Sequence, residues 1–181
     1  MHGRGGLFYV PRRSAASVNN MNEITYRQHI KSSDVEAIAS IVQSSGFFSA
    51  AELDIAIELA QEKLDLGEDS SYQFLFAEQN SFVIGYACWG FIPATTGSVD
   101  LYWIAMREDS RGQGLGKKLL LETEKIIRAS SGLKIYVETS SREQYQTTRR
   151  FYEMRGYQQA AFLEDFYAPG DSKVIYLKNL K

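Results

Sequence analysis

Gly112, Gly114 and Gly116 stand where the hydrophobic repeat of the chain changes period. Before them, Val99 to Met106 is a β-rich run; after them, Leu119, Leu120, Thr123, Ile126 and Ile127 recur at helical spacing on one face. That helical pattern runs out at Ser130-Ser131-Gly132, and Lys134 to Val137 then reads as a short strand. A strand, a helix and a strand in this order make the two strands parallel neighbours joined by a crossover. The sheet that contains them is therefore mixed.

The flanking segments complete an α+β layout. Ile24, Tyr26 and Gln28 to Ile30 alternate loosely as a first strand. Ser33 with Glu36, and Ser49 with Glu52, form capping-box patterns ahead of two helices that Gly46 and Gly67 close. Tyr72 to Ala77, Phe82 to Phe91 and Val99 to Met106 are separated by short loops, which favour antiparallel neighbours. Ser141 with Gln144 predicts another capped helix through about Arg155, ended by Gly156, and Tyr157 to Phe166 and Val174 to Lys178 predict two last strands. The sum is one domain over residues 21–181, a mixed, mostly antiparallel sheet of about seven strands flanked by about four helices. Residues 1–20 have no hydrophobic period and read as a disordered leader or an expression remnant.

Composition narrows the functional classes. At 181 residues with 44% hydrophobic side chains the chain suits one globular domain. A net charge of -2 without a local Lys/Arg cluster argues against a nucleic-acid partner. No apolar run approaches the ~20 residues of a membrane span. Cys88 is the sole cysteine, so an intramolecular disulfide and CxxC chemistry are excluded, and a cytoplasmic setting fits. His2 and His29 lack a second ligand at metal spacing, so no metal is expected.

Glycines alternating at the start of a helix expose backbone N–H groups and allow close approach, while the helix dipole adds partial positive charge. Phosphate is the natural ligand of such a loop. A P-loop would need a glycine at position 111 and a Ser or Thr at position 118, which hold Arg111 and Lys118. The dinucleotide fingerprint GxGxxG matches at Gly112 and Gly114, and Glu138 lies where a ribose-binding acid would. Its third glycine comes one residue early, and residues 107–111 separate the strand from the turn.

The spacing Arg111-x-x-Gly114-x-Gly116 resembles the coenzyme A loop of the GNAT superfamily of N-acetyltransferases, written Arg/Gln-x-x-Gly-x-Gly/Ala. Phe151-Tyr152-Glu153-Met154-Arg155-Gly156-Tyr157 is similar to that family's Phe-Tyr-x-x-x-Gly-Phe segment, and the order of elements over residues 23–179 is the family's order. The resemblance implies the acyl-coenzyme A N-acyltransferase fold, acetyl-coenzyme A as co-substrate and direct transfer of acetyl to a primary amine. It implies that Arg111 and the backbone of Gly112, Gln113, Gly114, Leu115, Gly116 and Lys117 hold the pyrophosphate, and that Ile104, Ala105 and Met106 pair with the pantetheine arm.

A lysine-like acceptor, with a reference pKa of ~10.4, must lose a proton before it attacks. Asp100 and Glu138 are the candidate bases; a strand-edge charge in solvent and the start of a loop are their ordinary readings. Tyr152 matches the tyrosine that protonates the departing thiolate, against the ordinary reading of a core aromatic. Tyr145 and Thr148 stand where many relatives have Asn and Ala, a departure that bears on cofactor hydrogen bonding. Cys88, inside an apolar run, reads as a buried small residue and not a nucleophile.

By the same resemblance Phe47, Phe48, Asp165, Phe166 and Tyr167 build the acceptor pocket, where aromatic and acidic groups suit a cationic amine. The hairpin segment 165–171 also resembles that of relatives acting on peptide or protein N-termini, so a small-molecule amine and a peptidyl amine both stay open, as do monomer and homodimer. Two other functions remain on the table: a non-catalytic acyl-coenzyme A-binding or sensory module on the same fold, and a dinucleotide-binding oxidoreductase resting on the imperfect glycine fingerprint.

Overall fold

The computed structural model describes residues 23–46 and 48–180. The expected leader, residues 1–20, and Phe47 lie outside the described residues. β1 (Ile24–Arg27) is followed by α1 (Ser33–Ser44) and α2 (Ala50–Leu66), then by the meander β2 (Gln73–Gln79), β3 (Phe82–Phe91) and β4 (Ser98–Met106). α3 (Leu115–Ala129), β5 (Lys134–Ser140), α4 (Gln146–Glu153), β6 (Gln158–Ala168) and β7 (Asp171–Asn179) complete the domain. The seven strands form one sheet in the order β1-β2-β3-β4-β5-β7-β6, antiparallel throughout except for the parallel pair β4–β5.

Two apolar clusters sandwich this sheet. Ile38, Ile41 and Val42 of α1 and Ala56 and Ala60 of α2 pack on Phe74, Phe76, Tyr86 and Cys88 on one face. Leu115, Leu119, Leu120 and Ile127 of α3, with Tyr152 of α4, pack on Leu75, Val99, Leu101, Ile135, Val137, Val174 and Tyr176 on the other.

Two local expectations are corrected. Ser33 already lies in the first helical turn, behind Ser32, so the Ser33/Glu36 box does not form and no side chain caps α1. Asp34 does related work: its buried carboxylate accepts from the Lys31 N–H at 2.6 Å and pairs with Arg27 at 2.8 Å. Arg27 also reaches Glu78, and β1 ends at Arg27, before the expected Gln28 to Ile30. His29 is consequently exposed and packs in no sheet. Ser141 does not cap α4 either, because its N–H and hydroxyl are engaged with the Ser172 backbone of β7, and a 3-10 turn at Glu143–Tyr145 leads into the helix. The Ser49/Glu52 box, by contrast, is complete, with both reciprocal bonds in place.

The feature that positions the site is a split in the middle of the sheet. β4 pairs with β5 only through Ser98–Asp100 against Lys134–Tyr136. Beyond Asp100, β4 stays with β3, while β5 stays with β7 as far as Ser140. A bulge occurs at this point: Cys88 faces Trp103 but Trp89 faces Leu101, so Tyr102 is an extra residue. It shifts the alternation, so that Val99, Leu101, Ile104 and Met106 all meet the α3 cluster, while Trp103 and Ala105 meet the α1–α2 cluster. β5 outruns the expected Val137, so Glu138 lies inside the strand and not at its end.

Candidate active site

From Met106 the chain passes a 3-10 turn, Glu108–Ser110, and enters α3 through Gly112 (φ 76°) and Gly114 (φ 74°), both left-handed. A Cβ at either glycine would meet nothing within 4 Å, so backbone conformation and not lack of space calls for glycine there. Gly116 is different: its Cβ position lies 3.6 Å from Met106 and 3.7 Å from Phe151. No side chain caps α3, which leaves its first-turn N–H groups for a ligand. Arg111 braces the turn by donating from Nε to the Met106 carbonyl at 3.3 Å. Gly112, Gln113, Gly114 and Lys117 are exposed, whereas the Leu115 side chain is buried in the core, so only its backbone faces the loop.

Ile104, Ala105 and Met106 line one side of the split, with strand hydrogen bonding on the β3 side only. Across it, Thr139 of β5 buries a hydroxyl that has no partner. A free strand edge is a chemistry that an extended amide-bearing chain would satisfy.

Asp100 sits where the split begins, on the face away from Val99 and Leu101, and is half-buried. Burial, then the nearby Glu138 carboxylate, push its pKa above the usual carboxylate value, and Lys173 pulls it back. Glu138 is paired with Lys173 at 2.6 Å. Tyr102, stacked edge-on to Tyr72 at 5.4 Å, is pushed up to about 12 by burial and by Asp100. The two candidate bases thus share one electrostatic neighbourhood.

Tyr152 lies on the other face, 4% exposed, among the rings of Phe151, Tyr157 and Tyr176. Burial alone raises its phenol pKa well above the ordinary value, so it holds its proton at neutral pH. Tyr145, half-buried, carries the Arg142 guanidinium at 5.7 Å, and Thr148 is exposed. Cys88 is fully buried and its thiol is pushed far up by burial, which suits a packing role.

The predicted acceptor residues converge only in part. Phe48 packs on Trp103 of β4 at 4.6 Å. Phe166 and Tyr167 are exposed on β6, and Asp165 (φ 51°) spends its carboxylate on the Gly170 N–H at 2.8 Å, shaping the hairpin. Burial, then the charges of Glu138, Asp171 and Glu52, push Tyr167 up to about 12, so the hairpin lies within electrostatic reach of α2 and β5. Lys173 and Thr139 were not among the predicted site residues. Lys173 is brought to Glu138 by the β5–β7 register, for which no local signal exists. A cavity of about 360 Å³ lined by Gln28, Trp89 and Ser130, among others, lies at the opposite end of α3 and touches none of these residues. Among the described residues no helix is long and apolar enough to cross a membrane.

Residues 70–159 match the model of the acetyltransferase (GNAT) domain. A GNAT-family protein from Desulfovibrio desulfuricans superposes with a TM-score of 0.86 at 39% identity, over 88% of this chain and 100% of the other. The chain belongs to the GNAT family. This makes it an acetyltransferase, with the fold and strand order of that family. More distant GNAT structures share the fold: the PaiA N-acetyltransferase of Thermoplasma acidophilum, solved with coenzyme A, has a TM-score of 0.67 at 21% identity, covering 87% of this chain and 99% of that one. The ribosomal-protein-S18-alanine N-acetyltransferase of Escherichia coli has a TM-score of 0.69 at 19% identity, covering 88% and 95%. A search of curated proteins finds no match.

Proposed function

We propose that this GNAT acetyltransferase transfers acetyl from acetyl-coenzyme A directly to a primary amine, with Asp100 as proton acceptor and Tyr152 as proton donor. The observation that carries the reading is the split sheet. It leaves the β4 edge at residues 104–106 without a strand partner beside an uncapped helix N-terminus, with a raised-pKa carboxylate on one face and a protonated, buried phenol on the other. Acetyl-coenzyme A supplies an activated thioester. The N–H groups of Gly112 to Lys117 bind its pyrophosphate, and the residue 104–106 edge orients the pantetheine.

Asp100, held above the usual carboxylate value, takes a proton from the acceptor ammonium directly or through water. The neutral nitrogen then forms the C–N bond as the C–S bond breaks, Tyr152 donates its proton to the departing sulfur, and the second proton lost by the nitrogen as it becomes an amide restores the phenol through solvent. Glu138 keeps Asp100 basic. The aromatic and acidic groups Phe48, Phe166, Tyr167 and Glu138 support a cationic acceptor, either a small amine or a peptidyl amine, and one structural neighbour is named for an alanine of ribosomal protein S18.

Incubation with acetyl-coenzyme A and a panel of amines and peptides, following thiol release, tests this. Release above background with at least one acceptor is expected. Coenzyme A binding without thiol release across the panel would favour a binding module instead. Tyr152→Phe is expected to lower turnover by roughly 10²-fold or more with acetyl-coenzyme A affinity nearly unchanged. Unaltered turnover would return Tyr152 to a packing role.

A further inference from the structure

We propose that Lys173 acetylates itself, its own Nζ acting as an intramolecular acceptor for the acetyl donor of the site; this rests on the donor reading above. Lys173 leaves β7 opposite Ser140, at the mouth of the split. Its side chain is 12% exposed, whereas Lys31 and Lys125 stand 53% and 66% in solvent. Nζ lies 2.6 Å from Glu138 Oε2, 3.8 Å above the Phe166 ring and 5.6 Å from that of Tyr167. A primary ammonium held between a carboxylate and aromatic faces is the arrangement the cleft offers to any amine acceptor. The protein thus holds an amine of its own against Glu138, Phe166 and Tyr167, three of the residues proposed to receive the acceptor. It also feels Asp100, the carboxylate at the start of the split.

The step balances without a further reactant. The Lys173 ammonium gives one proton to Glu138, from which it passes to water. The neutral Nζ attacks the thioester carbonyl carbon, a C–N bond forms, the C–S bond breaks, the thiolate leaves with a proton from Tyr152, and the second proton lost by the nitrogen as it becomes an amide restores the phenol through solvent. The products are N-acetyl-Lys173 and the free thiol. Tethering removes the entropy of bringing amine and donor together, so Lys173 reacts ahead of any solvent-exposed lysine. The modification also removes the cation that pairs with Glu138, leaving that carboxylate free for an incoming ammonium.

The test uses the full chain with acetyl-coenzyme A and no acceptor, read by peptide mass mapping over time, with coenzyme A binding measured on the same sample by calorimetry. Lys173 should be acetylated at least about tenfold faster than Lys125 and Lys134, and this preference should vanish in urea, where the cleft is gone. Lys173→Arg should remove the fast phase from the intact-mass time course. Labelling of Lys173 no faster than Lys125 in a protein that binds coenzyme A overturns the proposal while leaving the donor reading intact. Failure to bind coenzyme A overturns both.

Discussion

Asp100 and Tyr152 stand on opposite faces of the sheet, and β4 and β5 part just beyond Asp100. In the proposed reaction one side chain takes the proton leaving the acceptor and the other supplies the proton reaching the thiolate. Their environments push both pKa values upward, but the consequences differ: a raised carboxylate becomes a better base, and a raised phenol stays loaded. For Asp100 the sign of the stability effect follows from linkage. Its folded-state pKa lies above the unfolded one, so folding gains from the protonated form, and stability falls as pH rises from the ordinary carboxylate range through the raised value. Asp100→Asn removes that loss. At neutral pH the variant should melt no lower than wild type, while kcat/KM falls by roughly 10²-fold or more. Glu138→Gln removes a negative neighbour, so the acid limb of the kcat/KM profile should move to lower pH; a limb that stays in place or moves up would separate Glu138 from Asp100.

At the scale of elements, the glycine loop and α3 were legible because their signals are local: period, glycine spacing and the strand before them all lie within residues 99–127. The capping boxes divide for the same reason. Ser49 and Glu52 meet no competitor, whereas Ser33 and Ser141 lose to Asp34 and to the Ser172 backbone, partners set by Arg27 and by β7. The pairing of Glu138 with Lys173, and the Tyr102 bulge, depend on strand register and had no signature in the residues themselves. The loop carries a paired prediction. Valine at position 114 must adopt φ 74°, at a cost of about 1–2 kcal/mol, in the loop that leads into the uncapped α3 N-terminus. Gly114→Val should therefore lower the melting temperature and weaken coenzyme A binding by roughly tenfold or more by calorimetry. Gly116→Ala, whose Cβ meets Met106 and Phe151 at ordinary contact distances, should melt close to wild type.

Across the whole molecule, a sheet split in this way must be held together elsewhere, because three paired residues alone join β4 to β5. The α3 face supplies the tie. Leu101 on one side of the split and Ile135, Val137 and Tyr176 on the other share a single apolar cluster with α3. Within that layer Glu124 of α3 is nearly buried and accepts from Lys178 of β7 at 2.7 and 2.8 Å and from the Tyr157 hydroxyl at 3.1 Å. The helix that begins at the glycine loop is thereby fastened to the far half of the sheet. Removing the cation leaves a buried carboxylate with one neutral donor, so Lys178→Met should cost about 3–5 kcal/mol in denaturant unfolding. Replacing the pair together, Glu124→Leu with Lys178→Met, removes the stranded charge and should recover most of that loss. If the single and double variants unfold at the same denaturant concentration, the ion pair is not what joins the two halves, and the shared apolar layer carries the tie by itself.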